Sequence, residues 1–106
     1  MSRINEKSTE DLFSVDIGIA YYNNGFFNVG VKHSELFGKD LSPVKIQLGE
    51  NTENICFGKV NRTANNNGTP RIMAGPMFKD WIQDNFNQGD IFKVKVINSD
   101  FIKLTK

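Results

Sequence analysis

The chain is poor in the residues that most often carry chemistry. It has one cysteine, Cys56, and one histidine, His33, in 106 residues. A single cysteine excludes an internal disulfide and a paired-cysteine metal site, and a single histidine excludes the two-histidine helical zinc motif. No metal and no cofactor is therefore expected. No apolar run of about 18 residues occurs, so no membrane-spanning helix is expected. The opening stretch MSRINEKSTED lacks the apolar segment of a secretory signal. Asn61-Arg62-Thr63 and Asn67-Gly68-Thr69 then read as chance matches to the glycosylation pattern, and a cytoplasmic location is expected. The stretch GKVNRTANNNG has neither the Walker spacing nor GxGxxG, so no phosphate loop is present.

Convergent titratable groups, which an enzyme needs, are also scarce. His33, Ser34 and Glu35 are neighbours in sequence, but adjacency on one turn is not a catalytic triad. Cys56 lies in an apolar stretch and reads as a small buried hydrophobe. Asp80 and Asp84 share a helix face and read as its wet side. A small enzyme would have to rest on His33, which makes it the weakest reading.

Acids are missing in two windows, Ile17 to Ser34 and Asn54 to Lys79, although the net charge is only +1. The second window holds Lys59, Arg62, Arg71 and Lys79, so one face is expected to be locally positive. The composition, 39% hydrophobic and 24% charged, is that of one globular domain.

The apolar pattern is mostly that of strands. LFSVDIGIAYYNNGFFNVGVK alternates with period two, which predicts a hairpin. A three-residue turn, Asn23-Asn24-Gly25, sets Ile17, Ile19 and Tyr21 opposite Val31, Val29 and Phe27, with Gly25 left-handed and Tyr22, Asn23 and Asn24 at the tip. HSELFG reads as one helical turn, with Ser34 as a cap and Gly38 as a stop. SPVKIQLGE reads as a strand with Val44, Ile46 and Leu48 inward. ICFGKVN is a further strand with Ile55, Phe57 and Val60 as its apolar positions and a bulge at Gly58. GPMFKDWIQDNF is a helix with Pro76 at its first position and Met77, Phe78, Trp81, Ile82 and Phe86 on one stripe. IFKVKVIN is a strand with Phe92, Val94 and Val96 inward, and FIKLTK follows. Residues 1–11 read as a polar tail or linker, and 12–106 as one mostly-β domain.

Between the strands lies KVNRTANNNGTPRIMAG, a basic, amide-rich arm without an acid. About 15 structureless residues in a compact domain are uncommon unless functional. Its residue types suit duplex DNA. Arginine can bond O6 and N7 of guanine, and asparagine N6 and N7 of adenine. Threonine hydroxyls and exposed backbone N–H groups can hold phosphates. An Asn-rich β module could instead bind a protein or a glycan, which remains the alternative reading.

The stretch MFKDWIQDNFNQGDIFKVKV resembles a helix-then-strand signature of the DNA-binding pseudobarrel family. Phe78, Trp81, Asn85, Gly89 and Asp90, then Phe92, Val94 and Val96, carry the resemblance. The family occurs as plant transcription-factor DNA-binding domains and as effector or target-recognition domains of restriction endonucleases. The resemblance spans residues 12 to 104 and implies a seven-stranded open pseudobarrel, mostly β, with two short helices. It implies two arms in the DNA major groove. The first would be Tyr22, Asn23 and Asn24. The second would draw on Lys59, Asn61, Arg62, Thr63, Asn65, Asn66, Asn67, Thr69 and Arg71. Lys32 and Lys59 would hold phosphates, and Arg62 and Arg71 would read bases. The arm NRTANNNGTPRI departs from the plant pattern, and the chain lacks the plant domains' Arg/Lys richness. The bacterial branch is nearer, which implies a non-catalytic recognition module with a nuclease domain elsewhere in the parent protein.

Overall fold

The computed structural model describes residues 11–106, so the expected tail, apart from Asp11, lies outside the described residues. Seven strands form one sheet: β1 (Leu12–Asp16), β2 (Phe26–Asn28), β3 (Pro43–Leu48), β4 (Ile55–Asn61), β5 (Arg71–Met73), β6 (Ile91–Asn98) and β7 (Phe101–Thr105). Two α-helices, α1 (Ile19–Asn24) and α2 (Pro76–Asn85), and a 3-10 helix, Val31–Leu36, complete it. The sheet order is β1-β6-β7-β3-β4-β5-β2, which curls into a nearly closed barrel with β1 and β2 as its two edges. Every pairing is antiparallel except β3 with β7. Among the described residues no helix is long and apolar enough to cross a membrane.

The period-two pattern fixes which side chains fill the barrel. Val44, Ile46 and Leu48 of β3, and Phe92, Val94 and Val96 of β6, all point inward and are buried, as their alternation predicts. Helix α2 plugs one end. Pro76 occupies its first turn, where a missing N–H costs nothing. Phe78 and Ile82 are fully buried, and Trp81 packs edge-on against Phe86 at 5.3 Å between centroids. Met77 leaves the expected stripe and is 46% exposed. Phe78, Phe27 of β2 and Phe92 of β6 meet at 5.3–5.9 Å, so helix and two strands share one aromatic cluster. The Gly89 turn before β6 has φ 94°, and the Asp90 carboxylate accepts the Asn87 N–H at 2.8 Å, as a Gly-Asp turn should.

The first predicted hairpin does not form. β1 pairs with β6, from Leu12 opposite Lys95 to Asp16 opposite Ile91, and β2 pairs with β5. Between them the chain coils into α1, bounded by Gly18 and by Gly25 at φ 75°. Phe13, Val15 and Ile17 keep the alternation, and so do Phe27 and Val29, but Ile19 is 65% and Val31 71% exposed. Gly25 is left-handed as expected, but as the end of a helix: its carbonyl accepts the N–H groups of Ala74 and Gly75. The turn at Ser34 begins two residues earlier than predicted, at Val31, and Ser34 lies inside it rather than capping it. This 3-10 helix covers the open seam, where His33 stacks on Phe13 of β1 at 4.5 Å and 12°.

β4 also differs from its reading. Cys56 and Val60 point inward, with Gly58 between them, and Phe57 is 72% exposed. Alternation is therefore strict, and the pairing with β3 runs through Gly58 without a bulge. Glycine is required there for another reason: a Cβ at Gly58 would lie 2.3 Å from the Met73 carbonyl oxygen of β5. Burial also pushes the Cys56 thiol up to about 11, in keeping with an inert core residue. Gly58→Ala must spread β4 from β5 and should cost about 1–3 kcal/mol. Urea denaturation measures this, and an unchanged midpoint would contradict the close approach.

Candidate nucleic-acid interface

The polar arm is shorter than its composition suggests, because its ends are strand. Asn61 closes β4 and Arg71 opens β5, leaving residues 62–70 as the loop. That loop is built from asparagine turns. The Asn61 side-chain carbonyl accepts N–H groups of Thr63 at 2.9 Å and Ala64 at 3.0 Å, and the Thr63 hydroxyl at 3.0 Å. The Asn67 side-chain carbonyl accepts the Thr69 N–H at 3.2 Å and its hydroxyl at 2.8 Å. Short amide side chains that mimic a backbone turn explain the asparagine richness in part.

Arg62 is committed to the fold. Its Nε donates to the Gly38 carbonyl at 2.8 Å. Nη1 donates to the Ser34 hydroxyl at 3.0 Å and the Gly68 carbonyl at 3.1 Å. Nη2 donates to the carbonyls of Ser34 at 2.9 Å and Phe37 at 3.0 Å. A guanidinium has five N–H donors, and all are used. The expectation that Arg62 reads bases is therefore corrected: it ties the loop to the 3-10 helix. Gly38, expected to stop that helix, instead supplies one of the clamped carbonyls. Thr69 is corrected too, being 8% exposed with its hydroxyl turned to Asn67.

Arg71 has the opposite fate. Register aligns Asn61, Arg71 and Asn28 across β4, β5 and β2, on the outer face. The Asn28 side-chain carbonyl accepts Arg71 Nε at 3.0 Å and Asn65 Nδ2 at 3.1 Å. The guanidinium lies over the Phe26 ring at 4.2 Å. Among the described residues neither Nη of Arg71 has a hydrogen-bond partner. Lys59 lies in the next row of the same face, paired with Met73. Beyond Asn28 a groove of about 470 Å³ opens along the seam, and Lys32 lines it with Phe13, Asp16, Asn28 and His33.

The structure thus brings together Asn61, Asn65 and Arg71, with Asn66, Asn67 and Thr63 exposed on the same loop and Lys32 and Lys59 nearby. It does not bring Tyr22, Asn23 and Asn24 to them. Phe26 pairs with Met73 and Asn28 with Arg71, so α1 meets the far end of β5. Asn23 and Asn24 there line a shallow groove with Gly75, Pro76 and Lys79, and Tyr22 is half-buried. Asn28 and Phe26, absent from the expected set, hold Arg71 in place. The alternation that sends Phe27 and Val29 inward already sends both of them outward.

No family model and no curated protein matches the chain. Among solved structures it is similar to the N-terminal domain of Helicobacter pylori LlaJI.R1, with a TM-score of 0.64 and 15% identity, over 89% of this chain and 78% of that one. At that identity the likeness is one of fold.

Removing the clamp strands carbonyls of two segments at once. Arg62→Ala should cost roughly 2–4 kcal/mol of stability, and Arg62→Lys should recover little, since lysine lacks the planar five-donor fork. Thermal and urea unfolding test this; a lysine variant as stable as the parent would show the clamp to be dispensable.

Proposed function

We propose that the protein is a non-catalytic, sequence-specific binder of double-stranded DNA, the target-recognition module of a bacterial restriction endonuclease whose nuclease domain lies elsewhere in the parent protein. Arg71 is the observation that carries this reading. Its Nε is held by Asn28 and its plane by Phe26, while among the described residues neither Nη has a hydrogen-bond partner, beside an acid-free loop. A guanidinium fixed in this way presents two parallel donors, which match O6 and N7 of guanine in the major groove. The pseudobarrel fold shared with the LlaJI.R1 domain supports the reading, as does the resemblance of the α2–β6 segment to the restriction-enzyme branch.

The loop asparagines divide by what they have left to offer. Asn61 and Asn67 spend their side-chain carbonyls on turns, and Asn65 spends its amide on Asn28 and the Thr69 carbonyl. Asn66 is exposed and, among the described residues, keeps both ends free. Two-point contact with adenine needs a donor and an acceptor together, so Asn66 is the adenine reader of the set. Lys32 and Lys59 are exposed cations placed to hold phosphates, and the Thr63 hydroxyl can assist. Asn23 and Asn24 would serve at most a neighbouring backbone segment.

Fluorescence anisotropy against a randomised duplex pool at two salt concentrations, followed by sequencing of the bound fraction, tests the proposal. An enriched motif with salt-sensitive affinity is expected. Arg71→Ala should cost about 1–3 kcal/mol and relax one G·C position, and Asn66→Ala one A·T position, whereas Lys32→Ala should weaken all sequences alike and reduce the salt slope by about 1. Equal binding by the parent and Arg71→Ala would end the assignment of that residue. No binding at low salt would sink the DNA reading, and salt-insensitive capture of a glycan or peptide would favour the alternative.

A further inference from the structure

Two further surfaces, one of them next to the candidate interface on β4, are complementary to each other. The first is a knob. Phe57, on the outer face of β4, is 72% exposed, with Leu41 at 68% and Met73 at 40% beside it. An aromatic ring this open on a strand is a costly thing to leave in water. Its cross-strand partner is Lys45, and Lys59 lies two residues along the same face. The second surface is a pocket of about 240 Å³ at the α2 end of the barrel, lined by Leu48, Asn54, Met77, Asp80, Trp81 and Asp84. Leu48, Met77 and Trp81 give it an apolar floor, and Asp80 and Asp84, one turn apart on α2, give it an acidic rim. A cavity of about 150 Å³ is enough to hold benzene, so an aromatic ring fits this volume.

The two surfaces do not meet within one molecule, since Phe57 is not among the residues of the pocket. Among the described residues none of Lys45, Lys59, Asp80 and Asp84 makes an ion pair. The one ion pair among the described residues is Lys103 with Glu50. Lys45 instead rests its ammonium over the Phe101 ring at 4.7 Å, next to the knob.

We propose that a second copy of this chain is the partner, with Phe57 of one molecule seated in the Trp81 pocket of the next. Seating the ring brings Lys45 and Lys59 to Asp80 and Asp84, so apolar burial and charge pairing act in one contact. Knob and pocket are different surfaces, so the contact is head-to-tail, and it either closes into a ring or propagates. It is small, which places it with weak, transient associations.

Sedimentation velocity of the full chain from about 10 μM to about 1 mM, the range where such weak contacts form, tests this. The mass should rise above the 12.0 kDa monomer with concentration, less so in high salt. Phe57→Ser should weaken association about tenfold or more, and so should Asp80→Lys combined with Asp84→Lys. Both variants alter exposed side chains, and circular dichroism verifies their fold. An equimolar mixture of the two should regain association, because one retains the pocket and the other the knob. A parent chain that stays monomeric throughout overturns the proposal. So does a mixture no better than either variant alone. The variants leave Arg71, Lys59 and the loop unaltered, so anisotropy with duplex DNA reads the proposed function separately from self-association.

Discussion

The candidate surface depends on five hydrogen bonds made by one side chain. Carbonyl groups at the end of a short helix and in an irregular loop need donors that regular structure supplies only in part. Arg62 supplies them to Ser34, Phe37 and Gly38 on one side and to Gly68 on the other. Its own N–H donates to the Asp40 carboxylate at 2.8 Å, so side chain and backbone are both held. This clamp is the main tie between the loop from β4 to β5 and the segment covering the seam. With it they form one surface. An arginine in a basic arm invites a role in binding, yet a guanidinium with every donor occupied has nothing left for a ligand.

The order Arg62 imposes on the loop lets Arg71 have another fate. β4, β5 and β2 place Asn61, Arg71 and Asn28 in one row and Lys59, Met73 and Phe26 in the next. Asn28 then supports Arg71 through one oxygen, and Phe26 supports it through a ring face. Preorganisation of this kind matters because a long side chain loses much rotamer freedom on binding, up to about 2 kcal/mol for arginine. Here that ordering is largely done in the free protein.

Much of the barrel was legible in the sequence, and the reasons are local. Val44, Ile46 and Leu48, and Phe92, Val94 and Val96, alternate because each strand has one core face. Pro76 and the spacing of Phe78, Ile82 and Phe86 mark a helix because those rules act within a few residues. Pairing was not legible, because it is a long-range property. Phe13 to Tyr21 alternates well enough to mimic one strand, but β1 found its partner in β6. The intervening residues, freed from pairing, coiled between Gly18 and Gly25. The arm's chemistry was legible by type and not by position. Lys59, Asn61, Asn65 and Arg71 do share a surface, whereas Arg62 and Thr69 are turned inward, and nothing in the letters separates Arg62 from Arg71. Register alone does, since Arg71 sits on the outer face of β5 opposite Asn28 and Arg62 sits just beyond β4.

This division between scaffold and surface also explains how a chain can share its fold with the LlaJI.R1 domain at 15% identity. The barrel asks only for apolar residues at alternate positions, a helix stripe and a few glycines where backbones approach, and many sequences meet those terms. The outer rows carry none of that constraint. Asn28, Arg71 and the loop can change without cost to the core, provided that the carbonyls near Ser34 and Gly68 keep a donor. On the proposed reading, target choice rests with a handful of side chains on a permissive frame, so a change in those side chains changes the target and leaves the frame intact.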